Sequence, residues 1–90
     1  MKKIFNLYEA KGTEPYFVIT APQITILENL GIREGMQLVI QNRYAMGGPV
    51  LLWVDNAYTV ALGKDIAQQV FVVKNILEYE TPDQKESVAV

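Results

Sequence analysis

The stretch Gln37-Leu-Val-Ile-Gln-Asn-Arg43, Tyr44-Ala-Met-Gly-Gly48, Pro49-Val-Leu-Leu-Trp-Val54, Asp55-Asn-Ala57, Tyr58-Thr-Val-Ala-Leu62 sets the architecture of this chain. From Gln37 onward the apolar period falls to two, and β-branched and aromatic residues dominate, which marks three strands, Gln37–Arg43, Pro49–Val54 and Tyr58–Leu62. The connections are short, so the strands form an antiparallel meander. Tyr44–Gly48 supplies the small residues of a wide hairpin loop, and Pro49 fits only at a strand end. Parity settles the second connection. A three-residue loop at Asp55–Ala57 pairs Val54 with Tyr58, Leu52 with Val60 and Val50 with Leu62, whereas a two-residue loop scrambles the faces. Asp55 or Asn56 then takes the left-handed conformation, which both tolerate better than most residues.

This register sorts the side chains. Leu38, Ile40, Val50, Leu52, Val54, Tyr58, Val60 and Leu62 point inward, and Val39, Leu51, Trp53, Thr59 and Ala61 point outward. Upstream, Tyr16–Thr20 follows Pro15 and reads as a first strand. Thr20-Ala-Pro-Gln23 has the form of a capping box with proline in the first turn. Ile24, Leu27 and Leu30 recur at helical spacing, and Gly31 is placed to close a short helix, Gln23–Leu30, as a left-handed cap. Downstream, Lys64–Gln69 is a helical turn and Val70–Lys74 a last strand. Five short strands, a short helix after the first and a helical turn before the last describe a mainly β, closed or nearly closed small barrel. Residues 1–74 are expected to form the domain. Residues 75–90 hold four acids against one base, with Pro82 among them, and read as an acidic, partly flexible tail.

Composition narrows the function. The 90 residues suit one domain, and 50% hydrophobic against 20% charged is a folding composition. The sequence contains no Cys and no His, which excludes thiolate nucleophiles, imidazole ligands and His-based triads. A net charge of −2 argues against a nucleic-acid partner. The longest uncharged stretch, Pro15–Leu27, is only 13 residues, too short for a membrane helix, and no secretory apolar run follows Met1. A cytoplasmic location without membrane insertion is the expectation.

Leu27-Glu-Asn-Leu-Gly-Ile-Arg-Glu-Gly35, Leu38-Val-Ile40, Gly47-Gly-Pro-Val50, Val60-Ala-Leu62 and the Ala67-x-x-Val70-x-Val72 spacing together resemble the FeoA family, the ferrous iron transport protein A domains, over about residues 7–74. The resemblance implies an SH3-like barrel that acts, without catalysis, beside a ferrous iron permease whose cytoplasmic part binds GTP. It also implies kinship with the C-terminal domain of iron-dependent repressors. The sequence departs from the family where Ile24-Thr-Ile26 stands in place of a basic residue, and where usually polar strand positions are Leu51 and Trp53.

The remaining candidates weigh as follows. Gly47-Gly48 leads into a strand rather than a helix, so a hairpin outweighs a phosphate cradle. Glu28, Glu34, Asp55, Asp65, Glu78, Glu80 and Asp83 are scattered, and nothing in their spacing forces a metal site or a catalytic pair. No cofactor is expected. The outward Val39, Leu51 and Trp53 make an apolar outer face, extended by Phe71 and Val73. Such a face is covered by the chain's own N-terminal segment (Ile4, Phe5, Leu7) or tail (Ile76, Leu77, Tyr79), or it docks a partner or a second copy. Ile24, Leu27 and Leu30 plug one end of the barrel, while the resemblance implies that this helix also touches the permease, adding Ile26, Leu27 and Glu28 as secondary contacts. An alternative is a regulatory, peptide-binding module working with an iron-dependent repressor, which needs Tyr16, Tyr44, Tyr58 and Trp53 along one groove. A single-stranded nucleic-acid barrel would have only Lys2, Lys3, Lys11, Arg33 and Arg43 in its first half and ranks last.

Overall fold

The computed structural model describes residues 3–74. The elements are β1 (Phe5–Asn6), β2 (Tyr16–Thr20), α1 (Thr25–Leu30), β3 (Gln37–Arg43), β4 (Val50–Val54), β5 (Tyr58–Leu62), α2 (Lys64–Ala67) and β6 (Phe71–Val73). The strands form one antiparallel sheet in the order β1-β6-β2-β3-β4-β5. The meander β3-β4-β5 has the register that parity requires: Val54 faces Tyr58, Leu52 faces Val60 and Val50 faces Leu62. Asp55 and Asn56 both adopt positive φ (54° and 57°), and the Ala57 N–H donates to the Val54 carbonyl at 2.9 Å. This is a primed turn, whose twist matches the flanking strands, followed by one extra residue.

The sheet has six strands rather than five, because Phe5–Asn6 pairs with Phe71 and Val72 along the edge of β6. Asn6 then folds the chain back: its Oδ1 accepts the Glu9 N–H at 2.9 Å and its carbonyl accepts the Ala10 N–H at 3.0 Å. The turn drives Leu7 and Ala10 fully into the core. Phe5 meets the Tyr16 ring edge-on at 6.0 Å between centroids. The N-terminal segment therefore packs mainly into the interior, with Ile4 left exposed, and does not lie over the outer face. Among the described residues no ladder joins β1 to β5, so the barrel stays unclosed.

The core contains Leu7, Tyr16, Val18, Leu27, Leu38, Val50, Leu52, Val54, Val70 and Val72, each at most 1% exposed. At roughly 25 cal/mol per Å² of apolar area, such side chains supply the main stabilisation. The Tyr16 hydroxyl does not break this pattern, since it donates to the Lys11 carbonyl at 2.5 Å and accepts the Lys11 N–H at 3.2 Å. A buried phenol that satisfies its polar end loses little.

Helix α1 begins later than its sequence signature suggests. Thr20 stays in β2 opposite Phe71, across a bulge between Val18 and Thr20, so the expected capping box does not form. Ile24 is the N-cap, with no side-chain bond to the first turn. The other end follows expectation: Gly31 has φ 77°, its N–H donates to the Glu28 carbonyl, and the Ile32 N–H reaches back to the Leu27 carbonyl at 3.0 Å. A second reason for glycine comes from β5. The Tyr58 hydroxyl donates to the Leu30 carbonyl and occupies the space a Cβ at Gly31 would need. Tyr58, expected inside, is thus 42% exposed, because its hydroxyl serves the carbonyl end of α1 rather than the core.

Candidate functional site

Strand register builds the outer face row by row. Val39 lies opposite Trp53, which lies opposite Thr59, and Asn42 lies opposite Leu51, which lies opposite Ala61. A bulge at Gln41 separates these rows, and Thr59 Oγ1 and Gln41 Oε1 stand 3.3 Å apart across it. On β2 and β6 the outward pair is Phe17 and Val73, with Gln37 next to Phe17 on β3. Phe17 lies diagonal to Val39, one residue pair along the ladder, a separation that aromatic side chains bridge. The apolar residues therefore form a diagonal band, Val73–Phe17–Val39–Trp53–Leu51, crossing four neighbouring strands.

Trp53 is 39% exposed, while Val39, Leu51 and Phe17 are half-buried. A tryptophan that presents this much ring while its base rests on aliphatic neighbours has the form of an interface anchor. Phe71 is 38% exposed at the end of the same face, beside an open cleft of about 460 Å³ formed with Thr20–Pro22, Gln68 and Gln69. Val73 does not extend the exposed patch as expected. It points outward by register but is 3% exposed.

The helix contributes differently from expectation. Leu27 is 0% exposed within the core cluster and is withdrawn from the contact residues: the face of α1 that carries it is the barrel plug. Ile26 is 47% exposed on α1 and belongs to no row of the sheet, so the structure does not join it to Trp53. Beside α1, Ala21–Gln23, Glu28 and Ile32–Glu34 line a second open cleft of about 500 Å³. The four aromatics of the peptide-groove alternative are dispersed. Tyr16 is buried, Tyr44 sits beyond β3 in the hairpin loop, and Tyr58 caps α1, leaving Trp53 alone on the face. Phe17 was not singled out from the sequence, though the alternation in Tyr16–Thr20 places it opposite Tyr16 and Val18.

Around the hairpin loop, the Arg43 guanidinium donates through Nη2 to the Ala10 carbonyl, while its buried Nε has no partner. The Lys64 ammonium lies 5.6 Å over the Tyr8 ring. Among the described residues no three or more Asp or Glu side chains group as a metal site would require, and no helix is long and apolar enough to cross a membrane.

The FeoA domain family matches residues 21–74, from the bend before α1 to the end of β6. This chain belongs to the FeoA family. Solved structures agree with that assignment. The iron uptake regulatory protein FeoA aligns over 81% of this chain and 99% of its own, at 23% identity and a TM-score of 0.71. A FeoA-like protein from Clostridium acetobutylicum aligns over 80% of this chain and 87% of its own, at 26% identity and a TM-score of 0.65. A manganese-dependent transcriptional repressor shares the fold over 83% of this chain, at 21% identity and a TM-score of 0.72, and this FeoA domain spans 44% of that chain. No curated protein matches the sequence. The SH3-like architecture is thus common to FeoA proteins and to a portion of a metal-dependent repressor.

Proposed function

We propose that this FeoA-family domain is a non-enzymatic accessory of ferrous iron uptake that docks through its outer sheet face onto the cytoplasmic GTP-binding part of a ferrous iron permease and modulates it. The observation that carries the reading is the half-exposed indole of Trp53, opposite Val39 and on the same outer face of β4 as Leu51, on a face that the core does not use. The partner class is what the resemblance to the FeoA family implies, and a chain without Cys or His offers no thiolate or imidazole for catalysis. Mechanically, the permease would cover Trp53 and displace water from its aliphatic surround. A buried aromatic of this size supplies on the order of 2 kcal/mol of binding energy. Phe71 extends the contact along the face, and Ile26 provides a separate contact from α1.

The test is retention of this chain by the immobilised cytoplasmic domain of the permease. The unaltered chain is expected to be retained, and Trp53→Ala and Leu51→Ala to be retained at least about tenfold less. Equal retention of all three removes the outer face from the interaction, and no retention of any removes the partner.

A further inference from the structure

We infer that the open edge of β5 recognises itself: two copies of this chain pair their β5 strands antiparallel, about a two-fold axis at Val60, into one continuous sheet. This goes beyond permease docking and concerns a different part of the molecule. In the order β1-β6-β2-β3-β4-β5 the strand β5 is marginal, and among the described residues it pairs with β4 alone. Its free hydrogen-bonding positions follow from β4. The Asp55 N–H donates to the Gln37 carbonyl on β3 at 2.8 Å, and the Ala57 N–H donates to the Val54 carbonyl, so the Val54 carbonyl turns toward β5. Backbone groups alternate in direction along a strand, so Val54, Leu52 and Val50 bond their partners Tyr58, Val60 and Leu62. Thr59 and Ala61 are left with N–H and C=O groups directed away from the sheet. Among the described residues none of these groups bonds another backbone group.

An edge of this kind templates another strand unless a charge, a proline, a bulge or brevity prevents it. Tyr58-Thr-Val-Ala-Leu62 has no charge and no proline, and it runs along β4 without a bulge. The opposite margin differs, since β1 has only 2 residues. The β5 sequence also suits its own copy. With Val60 on the axis, Thr59 lies opposite Ala61 of the second copy and Ala61 lies opposite its Thr59, so every outward group of both strands finds a partner. No like charges meet within the paired strands. Just beyond them, Lys64 comes level with the turn of the second copy that carries Asp55, an opposite charge at each end, with Asp65 one residue further along. Thr59 and Ala61 are exposed and small, and Val60, at 9% the most exposed residue of the core, is shielded by its counterpart. The axis is perpendicular to the sheet, so the row Trp53–Thr59 continues into Ala61 and Leu51 of the second copy on the same outer face. Two edges of 5 residues bury far less than the roughly 1,200 Å² of a stable interface, so the pair is reversible, with a Kd on the order of 0.1–1 mM.

Amide hydrogen exchange in the full, unaltered chain, followed by NMR from about 20 μM to about 2 mM, tests the pairing. Exchange at Thr59 and Ala61 is expected to slow at least about threefold across that range, while Val60, whose N–H already bonds β4, changes less. Concentration-independent exchange at Thr59 and Ala61 overturns the inference. Two variants test the register by sedimentation, one carrying Thr59→Lys with Ala61→Lys and the other Thr59→Glu with Ala61→Glu, with circular dichroism establishing that both are folded. Neither is expected to self-associate, because like charges then stand directly opposite, and an equimolar mixture is expected to associate. Self-association that survives in either variant places the contact on another surface and overturns the inference, as does a mixture that stays monomeric. The exchange measurement decides even where a variant does not fold. All of these use the chain alone, so their failure leaves permease docking through Trp53 standing, and a failure of docking leaves them interpretable.

Discussion

Leu52 and Trp53 are neighbours on β4 with opposite fates: Leu52 is 0% exposed between Ile40 and Val60, whereas Trp53 is 39% exposed between Val39 and Thr59. One peptide bond separates a residue that holds the domain together from one that it presents outward. A strand spends alternate residues on its two faces, so a single short strand can carry a core residue and the proposed docking residue without either limiting the other. The two faces therefore predict separable effects.

The largest effect is expected on the inner face. Leu52→Ala should lower unfolding free energy by about 3 kcal/mol, read as a fall in the urea midpoint at constant slope. A smaller loss would show that the sheet collapses around the vacated space. Gly31→Ala should cost about 2 kcal/mol, because it forces a left-handed residue to carry a Cβ and displaces the Tyr58 hydroxyl from the Leu30 carbonyl. Pairing it with Tyr58→Phe in a double-mutant cycle should give a combined cost below the sum, since both changes break one contact. Trp53→Ala should cost only about 1 kcal/mol of stability while removing most partner retention, the reverse of Leu52→Ala. A Trp53 variant as unstable as the Leu52 variant would erase the distinction between the faces. The smallest effect is expected at Glu14→Ala: its pair with Lys74 is exposed at both side chains, and its loss should change stability by ~0.5 kcal/mol or less.

The contrast between the faces was legible in the sequence because β3, β4 and β5 alternate cleanly and Asp55-Asn56-Ala57 leaves one loop length that keeps the alternation in phase. Trp53, Val39 and Leu51 follow from that phase alone. What escaped was decided by contacts between distant parts of the chain. Phe5–Asn6 is a strand of 2 residues that exists only because β6 offers it an edge, and no periodicity announces so short an element. Thr20 carries the local signature of a cap, but its place in the ladder with Phe71 outweighs one side-chain hydrogen bond. Tyr58 has the parity of a core residue, yet its hydroxyl finds a carbonyl on a helix 28 residues away in sequence. Leu27 illustrates the limit of carrying a contact over from a family, since the helical face that bears it is consumed in closing the barrel end. The proposed tail spanning residues 75–90 lies outside the described residues.

The pairing of Phe5 with Val72 sets the first and last strands side by side at one margin of the sheet, with β4 and β5 at the other. A unit wired in this way can be spliced into or appended to a longer polypeptide through neighbouring entry and exit points, while the strand bearing the indole stays remote from the junction. The same architecture can therefore be reused inside a larger protein without rebuilding the outer face that carries Trp53.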